Sequence, residues 1–346
     1  MSIETVANSA VAFSVPLRLQ FRANTNREGV VFEGPSGWGE FAPFANYDDV
    51  VAGHWLATAL EMAFGQLPEN LRTSVPVNAI IPEVDEITAY ELVQRAVRDQ
   101  GIETIKVKVA QPGQSLADDI ARVRAVRSAL SDSGAFNGLI RLDANTGWNV
   151  ETAVTNISKL SDAANGLDYV EQPCETLGEL TELKKHVDVK IAIDEGVRLA
   201  DELDILAIRD AADVLIAKPI PLGGVTRSLR LIDRIDLPVV VSGSMDTSIG
   251  LQSGLQLAAS VPNLYGPCGL GTGALLALDL IPKTEQPQDG MLLAHRQNPD
   301  SNCLALAHAL TSSRDQEFWR SRIMNAWHAS AHRLVSPDVK QAVLAW

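Results

Sequence analysis

Short β-branched runs alternate with amphipathic helical segments along most of this chain, and the alternation strongly constrains its fold. The runs begin near residues 75, 104, 138, 167, 190, 213 and 238, so from the second run onward they start 23 to 34 residues apart. That spacing suits one strand and one helix. A weaker eighth run lies near residues 263–267. The pattern predicts an α/β fold, a modified TIM barrel of the (β/α)7β type over residues 75–280.

An open, doubly wound parallel sheet is the alternative for such a pattern. That fold normally carries a glycine-rich phosphate loop after its first strand. The sequence around the first run reads VNAIIPEVDE and offers no such loop. We therefore favour the barrel.

Residues 1–74 have a different pattern, which predicts an α+β capping domain. Two strand-like runs, VAFSVPLRLQF and GVVFEG, flank the polar stretch RANTNRE, which predicts a hairpin with a loose loop. The segment DDVVAGHWLATALEMAFG has helical spacing and stops at Gly65. Helix-like segments such as RDQEFWRSRIMNAWH predict that about residues 281–346 return to complete this domain.

Composition and charge limit the classes of partner that the chain can bind. The balance of 43 acidic against 29 basic residues gives a net charge of -14, which disfavours nucleic acid and anionic membranes as partners. An anionic small-molecule substrate would need a local cluster of positively charged residues at its binding site. The three cysteines are far apart and no signal peptide or membrane span is evident, so we expect a cytoplasmic protein. The sequence leaves the oligomeric state open.

Polar and charged residues end most of the predicted barrel strands, although charge is unfavourable inside a parallel sheet. The carboxyl ends of barrel strands form one rim, where barrel enzymes carry out their chemistry. The sequence therefore predicts an active site built from these residues: Lys106, Lys108, Asp143, Asn145, Glu171, Asp194, Glu195 and Lys218.

Asp143, Glu171 and Asp194 end three successive strands of the predicted barrel. Three converging carboxylates cannot all stay ionised unless a cation holds them together. Hard oxygen ligands favour Mg²⁺, with Mn²⁺ as a second possibility. The alternative is that each carboxylate pairs with a lysine in an ordinary salt-bridge network.

Lys106 and Lys108 are two residues apart on one strand, so their side chains point the same way, and Lys218 lies almost opposite them in the barrel. Burial and a nearby divalent cation both disfavour the ammonium form of a lysine. Both effects lower its pKa towards the range of a general base. The alternative for any one of them is a solvated surface lysine.

The rim motifs K-V-K, D-A-N, V-E-Q-P, I-D-E-G and A-K-P occur in this order, and the element GWGEFAP covers Gly37 to Pro43. Together they resemble the enolase superfamily, in the branch of the muconate-lactonising enzymes. Within that branch the sequence is most similar to the actinobacterial o-succinylbenzoate synthase family, on the segments EGPSGWGEFAPF, VPVNAIIPE and GPCGLGTGALLA.

The resemblance implies a role for each rim residue. Asp143, Glu171 and Asp194 would bind Mg²⁺, with Asn145 and Glu195 around them. The implied base is Lys108, tuned by Lys106, while Lys218 would stabilise the enolate from the other face.

The resemblance also implies the reaction, a syn-dehydration of 2-succinyl-6-hydroxy-2,4-cyclohexadiene-1-carboxylate in menaquinone biosynthesis. The stretch RANTNRE, which includes Arg22, would correspond to a mobile loop that covers the site. Donors at Ser242, Gly243 and Ser244 would hold the succinyl tail. These last residues could instead be ordinary turn and helix-cap residues, since SGSMDTSIG also reads as a loop entering a helix.

Other functions remain open on the residues alone. An N-succinylamino acid racemase also needs lysines on both faces of a metal site. A dipeptide epimerase is disfavoured because the loop GPCGLGTG lacks that group's Asp-x-Asp pair, and the mandelate racemase branch because no histidine follows the seventh strand. A metal-free Schiff-base enzyme and a non-catalytic barrel are the remaining alternatives.

Overall fold

The N-terminal part of the chain forms a small antiparallel sheet packed on a long helix. The computed structural model describes residues 2–21, 24–198, 203–311 and 313–346. Within these ranges the N-terminal elements are α1 (Ile3–Ser9), β1 (Val11–Phe21), β2 (Asn24–Gly34), β3 (Gly37–Phe41) and α2 (Asp49–Phe64), with the strands in the order β1-β2-β3. Asp48 caps α2 by accepting from the Val51 N–H, and Gly65 follows its last turn as predicted.

The predicted loop RANTNRE is wrong for most of its length. Strand β2 already begins at Asn24, and Asn26 and Arg27 pair with Pro16 and Val15 of β1. The stretch is polar because most of its side chains are exposed and backbone pairing with β1 does not require apolar residues, although Arg27 is buried. Arg22 lies outside the described residues. Helix α1, which the sequence analysis missed, is capped by the Ser2 side chain.

Seven parallel strands form the central sheet of the described residues, in the order β11-β10-β9-β8-β7-β6-β5. The first predicted run is split, because Ser74–Pro76 pairs antiparallel with a late strand and only Ala79–Ile81 joins the barrel. The strands are β4 (Ser74–Pro76), β5 (Ala79–Ile81), β6 (Thr104–Lys108), β7 (Leu139–Asp143), β8 (Tyr169–Glu171), β9 (Lys190–Ile193), β10 (Val214–Ala217), β11 (Val239–Val241) and β12 (Met291–Leu293).

Helices follow the barrel strands and cover the outside of the sheet. Ser115 and Asp118 form the predicted capping box at the start of the helix after β6. The helices are α3 (Glu86–Gln100), α4 (Leu116–Asp132), α5 (Val150–Ala164), α6 (Leu177–Leu183), α7 (Glu195–Arg198), α8 (Ile205–Ala211), α9 (Pro219–Leu222), α10 (Val225–Ile235), α11 (Leu251–Ser260), α12 (Ser301–Ala309), α13 (Ser313–Ala326), α14 (His332–Leu334) and α15 (Pro337–Ala345), with a 3₁₀ turn at Gly271–Leu275 and a π turn at Trp327–Ala331.

The segment around residues 264–269 closes the barrel at the place of the predicted eighth run. Leu264 and Gly269 bridge to Val239 and Ser242 on one side, and Cys268 bridges in parallel to Val77 on the other. The (β/α)7β architecture is therefore confirmed, although the eighth element makes only isolated bridges.

The C-terminal helices return to the N-terminal unit. Trp319 and Ile323 of α13 and Val339 and Val343 of α15 share an apolar cluster with α2. This packing agrees with the predicted capping unit, whereas the boundaries at residues 74 and 280 remain predictions. No helix in the described ranges is long and apolar enough to cross a membrane.

Two glutamates of the N-terminal unit lie at the starts of barrel helices. Glu61 of α2 accepts hydrogen bonds from the backbone N–H groups of Val225 and Thr226, where α10 begins. Glu40 of β3 accepts from the N–H of Gly250 at 3.0 Å, just before α11. Carboxylates are favourable at helix N-termini, so these contacts fix the cap against the helices that follow β10 and β11.

Candidate active site

The carboxyl ends of the barrel strands bring the predicted lysines and carboxylates together. In the strand register Lys108 lies beside Asp143, which lies beside Glu171. Strands β9 and β10 deliver Asp194 and Lys218 to the same rim through their next residues. All six charged side chains, including Lys106, are buried.

Each of the three carboxylates contacts at least one lysine. The Lys108 ammonium lies 2.6 Å from Asp143 Oδ2. The Lys106 ammonium lies 2.9 Å from Glu171 Oε2 and 3.4 Å from Asp143 Oδ2. Lys218 donates to Asp194 Oδ2. These contacts form a salt-bridge network, and they also place lysines on both flanks of the carboxylates.

The carboxylates differ in their electrostatic environment. Burial would raise the pKa of Asp143, but Lys108 and Lys106 hold it below its usual range. Burial and the neighbouring Asp143 raise the pKa of Glu171 to about 7. Burial alone would lower the Lys106 pKa, as predicted. The charges of Glu171 and Asp143 outweigh burial and raise this pKa. Glu171 is therefore the one of these three carboxylates whose charged form is disfavoured in the folded protein.

The donor set fits a hard divalent cation. Glu171 Oε1 is buried and has no hydrogen-bond partner among the described residues, so it has a free acceptor for one. The three carboxylates come from adjacent strands and provide oxygen ligands alone, as Mg²⁺ and Mn²⁺ prefer. Within the described ranges no three acidic, histidine or cysteine side chains are already arranged around one metal position.

Asn145 and Glu195 connect the two halves of the rim. Asn145 Oδ1 accepts from Lys108 Nζ at 2.6 Å, and its Nδ2 donates to Glu195 Oε1 at 3.1 Å. Arg198 completes the connection by donating to Glu195 Oε1 at 2.6 Å and to Asp194 Oδ1 at 3.0 Å. The network orients Lys108 and Asp194 together.

A partly open cavity lies above these residues, between the rim and the N-terminal unit. Its volume is about 50 Å³, which is smaller than that of most small-molecule sites. Its lining combines charged rim residues with aromatic residues of the cap: Phe44, Tyr47, Trp55, Ile80, Lys106, Lys108, Asp143, Arg198, Lys218, Pro221, Ser242, Gly243, Ser244, Met245 and Thr272.

Ser242, Gly243 and Ser244 line the cavity, but their backbone donors are engaged within the protein. The Ser242 N–H donates to Ala217 O at 2.9 Å and the Gly243 N–H to Gly269 O at 3.1 Å. The Ser244 N–H donates to Asp246 Oδ2 at 2.8 Å. These three N–H groups therefore need rearrangement before they can hold a substrate.

Two family models match the chain. The one described as "Enolase C-terminal domain-like" matches residues 88–299, and the one described as "Enolase N-terminal domain-like" matches residues 12–63. A curated Mycolicibacterium smegmatis protein named o-succinylbenzoate synthase is 42% identical over 316 residues, covering 91% of this chain and 94% of that protein. The chain belongs to the o-succinylbenzoate synthase family of the enolase superfamily.

Solved structures agree with the fold of this o-succinylbenzoate synthase family member. A muconate lactonizing enzyme from Pseudomonas fluorescens aligns with a TM-score of 0.71 at 17% identity, covering 86% of this chain and 97% of that one. An N-succinyl Arg/Lys racemase from Bacillus cereus aligns with a TM-score of 0.65 at 17% identity, covering 86% and 96%. At such identities the likeness shows the fold alone.

Sequence reasoning missed several residues that line or support this synthase-family site. Arg198 follows Asp194 by four residues, a helical spacing that could have indicated the pair. Gln172 accepts from the Asp194 N–H at 2.9 Å and sits next to Glu171 in V-E-Q-P. Trp55 and Thr272 carry no sequence signal, because their position over the site depends on how distant segments pack.

Proposed function

We propose that this protein is an o-succinylbenzoate synthase. It would remove water from 2-succinyl-6-hydroxy-2,4-cyclohexadiene-1-carboxylate to form 2-succinylbenzoate in menaquinone biosynthesis. The observation that carries the proposal is the placement of Lys108 and Lys218 on opposite flanks of three buried carboxylates. The reaction begins with loss of a proton beside a carboxylate, and this arrangement suits that step.

Asp143, Glu171 and Asp194 would hold Mg²⁺, with Mn²⁺ as an alternative. When bound, the cation supplies the positive charge that stabilises charge developing on the substrate carboxylate. The partnerless Oε1 atom of Glu171 and its pKa of about 7 support this role, because a cation would use the free oxygen and offset the burial and the repulsion from Asp143 that raise this pKa.

Lys108 is the proposed base, and it acts in its neutral form. Its Nζ takes the proton from the carbon beside the substrate carboxylate, oriented by the hydrogen bond to Asn145. The same lysine then returns that proton to the departing hydroxyl oxygen, so water leaves from one face. Formation of an aromatic ring makes this step favourable.

Lys218 and Lys106 contribute charge. Lys218 lies on the Asp194 side and need only stabilise the negative charge left on the substrate. Lys106 lies on the same strand as Lys108 and contacts Glu171 and Asp143. Through Asp143, which Lys108 also contacts, Lys106 would tune the base.

N-succinylamino acid racemisation is the second candidate function. The lysines on both flanks favour it, since one could remove a proton and the other return it on the opposite face. Optical rotation of an N-succinylamino acid that stays constant during long incubation with the enzyme would exclude this activity.

The first experiment follows the cyclohexadiene absorbance after enzyme and Mg²⁺ are added to the substrate. Lys108→Ala should lower kcat by about 10²- to 10⁴-fold, because the base is lost, and excess chelator should abolish turnover. Lys190→Ala is the matched control, since Lys190 is exposed at the start of β9. Absence of turnover by the unaltered protein would overturn the proposed function.

A further inference from the structure

Two hydrogen-bond donors in the cavity wall are buried and have no partner. The Oγ1 atom of Thr272 and the Nε1 atom of Trp55 make no hydrogen bond within the described residues, although both side chains are at most 5% exposed. Both residues line the same cavity as Lys108 and Asp143. A buried donor without a partner is costly, so two such donors in the wall of one cavity favour a ligand that offers acceptor atoms there.

The barrel order places Thr272 away from the carboxylates. It lies in the 3₁₀ turn after the closing segment, between β11 and β5, whereas the carboxylates follow β7, β8 and β9. A Cβ on the preceding Gly271 would lie 2.8 Å from the carbonyl oxygen of Asn78, so this turn packs directly on the β5 side. A substrate held by its carboxylate beside the three rim carboxylates would therefore present its distant end towards Thr272.

Trp55 approaches the cavity from the cap. It lies on α2, and its ring centroid is 5.1 Å from that of Tyr47, another lining residue. Its Nε1 can only donate a hydrogen bond, so it requires an acceptor. One unpartnered donor thus comes from the barrel and the other from the cap.

The backbone of the neighbouring wall cannot serve the same purpose without rearrangement. The backbone N–H groups of Ser242, Gly243 and Ser244 are already donated to protein acceptors. Thr272 and Trp55 require no such exchange, because no protein hydrogen bond has to break before they donate.

Building on the proposed function, we propose that Thr272 and Trp55 donate hydrogen bonds to the succinyl chain of the substrate. That chain carries a ketone and a terminal carboxylate, which offer only acceptor oxygens at neutral pH. The pair would thereby select substrates that present a 4-oxo acid chain opposite the metal-binding carboxylate.

The test measures binding of 2-succinylbenzoate and of benzoate, which lacks the chain, by calorimetry in the presence of Mg²⁺. Thr272→Val removes the hydroxyl at nearly constant size, and it should weaken 2-succinylbenzoate binding about tenfold or more while benzoate binding stays unchanged. Thr272→Ser keeps the hydroxyl and should bind like the unaltered protein. Trp55→Phe keeps an aromatic ring without the N–H and should resemble Thr272→Val.

Kinetics provide the second measurement. Thr272→Val should raise KM about tenfold with kcat changed less than about twofold, because a contact far from the reacting carbon affects the ground and transition states alike. If the unaltered protein turns over its substrate and Thr272→Val and Trp55→Phe both bind 2-succinylbenzoate normally, this inference fails and the proposed function stands. If the unaltered protein binds 2-succinylbenzoate through these residues but does not catalyse dehydration, the proposed function fails and the inference about the two donors stands. If it binds neither compound, both fail.

Discussion

Glu40 should make the stability of the protein fall as pH rises through neutrality. Its side chain is buried at the contact between cap and barrel and accepts from Thr247 and the Gly250 N–H. Burial, together with the charge of Asp246, raises the Glu40 pKa from 4.5 to about 7. The folded state therefore holds this proton more tightly than the unfolded chain, and the resulting stability is complete below pH 4.5 and lost as pH rises through 7.

The size of the effect follows from the pKa difference. A change from 4.5 to about 7 corresponds to ~3 kcal/mol when the full range of pH is crossed. Glu40→Gln keeps the shape of the side chain and abolishes the titration. It also costs ~1 kcal/mol, because the amide nitrogen of Gln cannot accept one of the hydrogen bonds that the Glu40 carboxyl group accepts. The pH dependence, rather than stability at one pH, is therefore the diagnostic quantity.

Urea unfolding at pH 5 and pH 8, followed by tryptophan fluorescence, measures this difference. Between the two pH values the free energy of unfolding of Glu40→Gln should improve by about 2 kcal/mol relative to the unaltered protein. Glu33→Gln, at an exposed position of β2, is the control and should follow the unaltered protein. Parallel pH profiles for Glu40→Gln and the unaltered protein would refute the reasoning.

Two further predictions concern the carboxylates of the rim and of the cap. Glu171→Gln removes a buried charged ligand, so Mg²⁺ affinity measured by calorimetry should fall by about 100-fold with the circular dichroism spectrum unchanged; an unaltered affinity would rule Glu171 out as a ligand. Glu61→Ala leaves the N–H groups of Val225 and Thr226 without their acceptor, so the free energy of unfolding should fall by about 2 kcal/mol, whereas Ala at the exposed Glu69 should change little. A Glu61→Ala melting temperature equal to that of the Glu69 variant would contradict this view of the cap contact.

The charged rim could be predicted from sequence because charged residues are unusual in the otherwise apolar strands of a parallel sheet. Lysines and carboxylates at the ends of buried strands are costly unless they meet in a site, and the barrel order then fixes which ones meet. Lys108, Asp143 and Lys218 were identified on this basis, and the structure brings them together.

Residues that obey local rules could not be identified in the same way. Trp55 fits the apolar face of α2, and Thr272 stands in a glycine-rich turn, so neither contradicts its local pattern. The polar stretch RANTNRE was misread because exposed strands and loops share a composition. The split of the first run at Val77 and Asn78 depends on pairing with β12, more than two hundred residues away.

The two glutamates that bridge cap and barrel limit how such chains can recombine. A barrel joined to a foreign cap would start α10 and α11 without the carboxylates of Glu61 and Glu40. Unless the foreign cap supplied acidic groups at both places, the first backbone N–H groups of α10 and α11 would lack these hydrogen-bond acceptors. Exchange of cavity residues such as Thr272 carries no such requirement. New specificities in this fold should therefore arise through point changes in the cavity wall more readily than through exchange of whole domains.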